Sequence, residues 1–236
     1  YWYMPSNWNK GLTKNNNSSV RKISETMKSR KIDNFAIWRE KMKASGKIKS
    51  IYLSLEKNGD LAELIGVALG DGHICVYPRT EELRLISNSN NPGFIQRYAG
   101  LMKKIFKKKP YIIKSRFTNS TKIGFYEKFI SERIGVPSGA RKYLKIDVPK
   151  WILKNEEYIV RYLRGLYEAE GSFCVHKPTY TYKLFFSNKN RSMLNNVYNL
   201  MKILSFYPHR SPHQIQVSKK EEVYRAMKVL RFRDYK

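Results

Sequence analysis

The chain has 236 residues, 46 of them Lys or Arg against 19 Asp or Glu, for a net charge of +27; so large an excess repels itself unless a polyanion takes it up, which points to nucleic acid. Hydrophobic residues at 42% and aromatic residues at 14% can fill packed cores and argue against a wholly disordered basic chain. No apolar run approaches the roughly 18 residues of a membrane span and no signal peptide is visible, and two cysteines cannot build a disulfide framework, so an intracellular, reducing setting with no membrane partner is expected.

Residues 1–50 contain 12 Lys or Arg and 3 acids, with too few apolar residues for a core of their own. Glu25-Thr26-Met27-Lys28 recurs as Glu40-Lys41-Met42-Lys43. Ile23 and Met27, and again Trp38 and Met42, are four apart and so stack on one helical face. This predicts two short amphipathic basic helices joined by a flexible connection, with Arg21, Lys22, Lys28, Arg39 and Lys43 turned outward as nucleic-acid contacts.

From Leu61 a helix is predicted through LAELIGVALGDG, with small residues at Gly66, Ala68 and Gly70 and a terminating Gly72. Strands follow at His73–Thr80 and Glu82–Ser87 around a Pro-containing turn, then a helix from about Gly93 to Phe106, a strand at Tyr111–Phe117 and a helix from about Lys122 to Ile134. The order then repeats: a helix near Glu157–Glu170, strands at Ser172–Lys177 and Tyr182–Ser187, a helix near Ser192–Phe206, a strand at Gln214–Ser218 and a helix near Glu221–Leu230. The expected organisation is an extension over 1–50, a first subdomain over 51–134, a linker over 135–152 and a second subdomain over 153–236.

The repeat has a nearly constant shift. Gly66 and Gly165, Asp71 and Glu170, and Cys75 and Cys174 are each 99 positions apart, and Leu101-Met102-Lys103 recurs as Leu200-Met201-Lys202. Ser87-Asn88 returns as Ser187-Asn188, and aligning the last helix of each half sets Lys122 against Lys220, with Lys219 as its rival. Ordered matches of this kind imply two copies of one structural unit related by a pseudo-twofold axis. The two cysteines are then expected as half-buried strand residues. If the helices ending at Asp71 and Glu170 pack through their small residues, the two carboxylates come close at the negative ends of two helix dipoles, where they repel. Stability alone would not select that arrangement. A divalent cation would offset it, and hard oxygen ligands favour magnesium. His209 and His213 lack cysteine partners for zinc, Gly135–Lys142 is too short for a phosphate-binding loop, and no Ser-His-Asp set suggests acyl transfer.

The two motifs LIGVALGDG (Leu64 to Gly72) and LRGLYEAEG (Leu163 to Gly171), the strand pairs behind them and Gly135–Ile152 together resemble a single-chain LAGLIDADG homing endonuclease over about residues 60–236. Leu69-Gly70 stands where Asp-Ala is common in that family, and Glu168 and Glu170 where Asp is common; both final carboxylates remain. The resemblance implies an α+β fold, a tandem of two αββαββα units with saddle-shaped antiparallel sheets. It implies a site-specific DNA endonuclease acting on a long asymmetric duplex as a monomeric pseudo-dimer, cutting across the minor groove to leave short 3′ overhangs. Mg2+ or Mn2+ would be the cofactor, with Ca2+ a non-catalytic substitute, held by Asp71 and Glu170 with the backbone of Gly70 and Ala169. Lys122 and Lys220 would lie at a helix start near the scissile phosphate, and Asn88 and Asn188 would order water beside the metal. The sheet faces, through Cys75, Tyr77, Arg79, Arg84, His176 and Lys183, would read base edges in the major groove, while Lys103, Lys104, Lys107, Lys108 and Lys109 would hold phosphates. The amino-terminal segment, around Lys22–Met27, resembles the nuclease-associated modular DNA-binding elements found beside such enzymes. Two alternatives share the scaffold: a maturase whose partner is intron RNA, and a DNA-binding regulator that has lost cleavage. The compartment would be one holding DNA, a prokaryotic cytoplasm or an organelle matrix.

Overall fold

The computed structural model describes residues 9–33, 35–48 and 51–235, and the chain divides into two compact units at Tyr52 and Leu53. The smaller unit holds two helices, α1 (Ser18–Ser29) and α2 (Ala36–Ala44). Asn17 starts α1 by accepting from the amides of Ser19 and Val20, satisfying two donors that a helix start leaves free. Neither helix buries a residue, and Ile23 and Trp38 stay about half exposed. Arg21, Lys22 and Lys28 face solvent; Arg39 pairs with Asp33, and Lys43 with Glu40 at 2.7 Å.

The larger unit opens with α3 (Gly59–Gly70), capped by Asn58, and continues through β1 (Gly72–Tyr77), β2 (Thr80–Asn88), α4 (Pro92–Phe106), β3 (Tyr111–Lys114), β4 (Ser120–Glu127) and α5 (Ile130–Ile134). It repeats as α6 (Glu156–Glu170), β5 (Gly171–His176), β6 (Thr181–Ser187), α7 (Arg191–Ile203), β7 (His209–Ser211), β8 (Gln214–Val217) and α8 (Lys220–Leu230). Each half is therefore αββαββα, and each has a four-stranded antiparallel sheet, ordered β1-β2-β4-β3 and β5-β6-β8-β7. The fold is the expected pseudo-twofold tandem.

One expected element is wrong. The predicted helix from Lys122 to Ile134 is instead strand β4 followed by the five-residue α5. Thr121, Ile123, Phe125 and Glu127 are buried at a period of two, and β4 is hydrogen-bonded on both sides, to β2 and to β3. Long-range pairing on two edges outweighs the weak helical pattern of this segment.

The axis of the larger unit is the contact between α3 and α6. Helix α3 is apolar apart from Asp60 and Glu63, and every residue from Leu61 to Leu69 is buried, as befits a helix enclosed in a core. A Cβ on Gly66 would sit 2.2 Å from the carbonyl oxygen of Tyr162, and one on Gly165 2.2 Å from that of Glu63. The two glycines lie 99 residues apart, as do the two residues they touch. Backbone therefore meets backbone symmetrically across the pseudo-twofold. Beside this contact Glu63, fully buried, accepts hydrogen bonds from Arg97 on α4 and Arg161 on α6, so the buried acid of α3 is ion-paired. Among the described residues no helix is long and apolar enough to cross a membrane.

Candidate active site at the ends of the motif helices

Asp71 is the residue that closes α3 and Glu170 is the last residue of α6. Their approach follows from what precedes them: a Cβ on Gly70 would lie 2.4 Å from the Cβ of Ala169 and 3.2 Å from the Cγ of Glu170. Only a glycine permits that spacing. Burial and the charge of Glu170 push the Asp71 carboxyl up to about 7, and burial raises Glu170 as well. Two acids that resist ionisation together at helix C-termini form a site that favours a bound cation.

The surroundings are not symmetric. Asn188 donates through Nδ2 to Glu170 Oε1 at 3.3 Å. Asn88, which ends β2, accepts from the amide of Asn90 just as Asn188 accepts from that of Asn190, so the difference lies in the side-chain nitrogen. Strand register explains the difference: Asn188 lies opposite His213, whose counterpart in the first sheet is Thr121, and Thr121 pairs with Ser87, so the register equivalent of Asn188 is Ser87 and not Asn88. A cavity of about 600 Å³ opens beside Glu170, lined by Leu69, Gly70, Arg141, Asn188 and His213 among others.

Lys122 is on a strand rather than at a helix start, and its partner by symmetry is not Lys220. Ile123 pairs with Leu85, which pairs with Gly72; Ile215 pairs with Phe186, which pairs with Gly171. The residues preceding them, Lys122 and Gln214, are therefore equivalent, at the ends of the sheets nearest the two acids. Lys220 opens α8 with its ammonium 5.4 Å from the ring of Tyr182, and Lys219 lies over Tyr207. Tyr182 pairs with Val175, four residues along β5 from Gly171, about 13 Å at the usual rise per residue. Gln214 was legible in the alternation K-I-G-F against Q-I-Q-V, had β4 been read as a strand.

Arg141, a linker residue that the repeat does not single out, holds the end of α3. It donates to the carbonyls of Ala68 (2.7 Å), Leu69 (3.0 Å) and Gly72 (2.9 Å), and its Nε donates to Pro137 O. A cation on the last carbonyls of a helix offsets the dipole end on which Asp71 stands. Arg233 donates to Gly171 O at 3.4 Å, the counterpart of the bond to Gly72. Glu168 is a core residue, accepting from the amide of Arg233 and from the Tyr235 hydroxyl.

The outer face of the first sheet presents His73, Cys75 and Tyr77 from β1, Glu82 and Arg84 from β2, Lys122 and Tyr126 from β4, and Tyr111 from β3. Arg79 is not on this face but in the two-residue turn between β1 and β2. On the second sheet Cys174 pairs with Lys183 and His176 with Thr181 on the corresponding face. Cys75 is half-buried as expected, whereas Cys174 is exposed. Lys103 and Lys104 project from the last turn of α4.

No family model and no curated protein sequence matches the chain. Solved structures do. Variants of the homing endonuclease I-DmoI align at 18% identity over 73% of this chain and 94% of theirs, with a TM-score of 0.51. I-DmoI in complex with DNA and Mn aligns over 73% of this chain and 96% of its own, at 18% identity and a TM-score of 0.50. Full-length DUF199/WhiA from Thermatoga maritima aligns at 16% identity over 77% of this chain and 57% of that one, with a TM-score of 0.51. The architecture that carries the Asp71 and Glu170 pair is thus the tandem LAGLIDADG fold of the homing endonucleases.

Proposed function

We propose that the chain is a LAGLIDADG homing endonuclease, a metal-dependent enzyme that hydrolyses both strands of a long, asymmetric DNA site. The observation that carries this is the approach of the two helix ends: Gly70 stands against Ala169 and Glu170, Asp71 is open to solvent and Glu170 half-buried, and the proton affinity of both acids is raised. Among the described residues no group of three or more His, Cys, Asp and Glu side chains could hold a metal. Two carboxylates with neighbouring backbone oxygens nonetheless suit Mg2+, which keeps several waters and binds through one or two carboxylates plus substrate phosphate. Asp71 and Glu170 would hold it, with the carbonyls of Gly70 and Ala169 beside them. Bound there, such an ion supplies Lewis acidity to the phosphodiester and a more acidic water.

The remaining chemistry falls to the chain's own side chains. Asn188, fixed on Glu170, orients an attacking water through its amide. Lys122 and Gln214 stand at equivalent sheet ends, one a cation and one a neutral donor, and stabilise negative charge developing on the two scissile phosphates. Arg141 keeps the end of α3 in register. The two sheets lie in the major groove and supply sequence recognition. The helices α1 and α2 extend the footprint along the backbone through Arg21, Lys22, Lys28, Arg39 and Lys43. The enzyme works as a monomer, because both halves of the metal site come from one chain.

Because the same fold occurs in DUF199/WhiA, the acids and not the scaffold carry the assignment. Selection of cleaved duplexes from a randomised library in magnesium tests it. Wild-type protein should yield one long, imperfectly palindromic site, and Asp71→Asn or Glu170→Gln should bind that site without cutting it. Failure of the wild type to cut any duplex refutes the assignment.

A further inference from the structure

The outer face of the first sheet holds an acid that the metal site does not use. Glu82 on β2 is 2% exposed, although it belongs to the face that carries His73, Arg84 and Lys122. Tyr77 donates its hydroxyl to Glu82 Oε2 at 3.1 Å, and Tyr111 donates to Oε1. Glycine at position 124 admits Tyr111, since a Cβ there would be 2.6 Å from the Tyr111 hydroxyl. The Tyr126 ring stands about 6 Å from both tyrosines, and Arg84 lies 3.9 Å from Glu82. Burial pushes the Glu82 carboxyl up, but the tyrosine hydroxyls and Arg84 outweigh it and hold the group below its ordinary value, so it is ionised.

A phenol has a single proton. Once Tyr77 and Tyr111 have given theirs to Glu82, each hydroxyl oxygen can only accept from anything approaching the sheet. In the major groove the groups that donate are the exocyclic amines, adenine N6 and cytosine N4; guanine and thymine present oxygen acceptors on the corresponding edge. We propose that Tyr77, Glu82 and Tyr111 form a base-reading device that selects an amino-bearing base, adenine or cytosine, at one position of the half-site bound by the first sheet. This deepens the endonuclease assignment and rests on it. Arg84 balances the charge of Glu82, so the patch does not repel the duplex.

The second sheet inverts the chemistry. Glu82 is the cross-strand partner of Cys75, and the cross-strand partner of Cys174 is Lys183. An ammonium only donates, so the equivalent position of the second half-site selects an acceptor edge, guanine O6 and N7 first. The target is asymmetric at this pair of positions because an acceptor faces one half and a donor the other.

The test uses the full chain in calcium with the duplex selected by cleavage. Each dA and dC of the half-sites is replaced in turn by purine or 2-pyrimidinone deoxyriboside, which lack the amino group. One replacement should weaken wild-type binding by about 10- to 100-fold, the range of a good base contact. Tyr77→Phe, at an exposed position whose ring packing survives, should bind both duplexes alike. Glu82→Gln should do the same, and Lys183→Met should relax guanine selection in the other half only. If Glu82→Gln fails to fold, Tyr77→Phe decides. Amino-group dependence at no position, or full dependence retained in Tyr77→Phe, overturns the device while leaving the endonuclease assignment standing. A wild type that cuts and selects no duplex overturns both.

Discussion

Replacing Gly66 by alanine tests the core of the architecture. The new methyl carbon would lie 2.2 Å from Tyr162 O, 3.0 Å from Leu166 N and 3.1 Å from the Cα of Gly165, the first of these more than about 1 Å inside ordinary contact. All three neighbours are backbone, so no side chain can rotate away and α3 and α6 must part. Overpacking of this kind costs about 1–3 kcal/mol and here belongs at the upper end, against a gain of up to about 1 kcal/mol from alanine's helix propensity. The expected net loss is about 2 kcal/mol, or a fall in Tm of about 4–8 °C for a unit of this size. Gly100 is the control: it lies within α4 with nothing within 4 Å of an added Cβ, so Gly100→Ala should stabilise by up to about 1 kcal/mol. Thermal and urea unfolding of the two variants should therefore move in opposite directions. Cleavage by Gly66→Ala should fall more than DNA binding, because parting the helices separates Asp71 from Glu170. A Gly66→Ala protein as stable as Gly100→Ala would refute the close helix contact and the site built on it.

The acidic pair makes stability depend on pH in metal-free protein. The folded-state pKa of Asp71 is raised from 3.8 to about 7, so its cost is absent below the lower value, grows between them and is complete above about pH 7. Asp71→Asn should accordingly gain Tm over wild type at pH 8 and little at pH 5, with magnesium narrowing the gap; a pH-independent difference contradicts this. Arg141→Met removes charged donors from Ala68, Leu69 and Gly72, and at about 1.5–3 kcal/mol for a charged hydrogen bond should cost about 3 kcal/mol. Unfolding midpoints measure it, and a wild-type midpoint would mean that water replaces the guanidinium. Deleting residues 1–50 should shorten the nuclease-protected footprint and flatten the salt dependence of binding; an unchanged footprint makes the extension idle.

Several features were readable from residues alone because they depend on local chemistry. The 99-residue shift between Gly66 and Gly165 and between Asp71 and Glu170 announced two copies of one unit. The apolar, glycine-bearing helices and the alternating strands behind them carry their periods in the sequence. The segment after Tyr111 failed for the opposite reason. Lys122–Ile134 is short and mixed in pattern, and it became a strand because β2 and β3 offered edges on both sides. That error displaced the pairing of Lys122 from Gln214 to Lys220 and put Lys220 about 13 Å along the sheet from the motif end it was meant to serve.

Charge, duplication and the two closing carboxylates are properties of the chain as written, and they determined the tandem fold and which acids would meet. Only tertiary structure decided what stands around them. It brought Arg141 from the linker onto the α3 carbonyls, gave Asn188 but not Asn88 to an acid, and turned Tyr77 and Tyr111 onto a buried Glu82. All but the Tyr77 bond join residues 18 to 73 positions apart, a separation that no short-range period encodes. Hydrogen-bond donors and acceptors find one another through strand register and loop length, which the whole fold sets together.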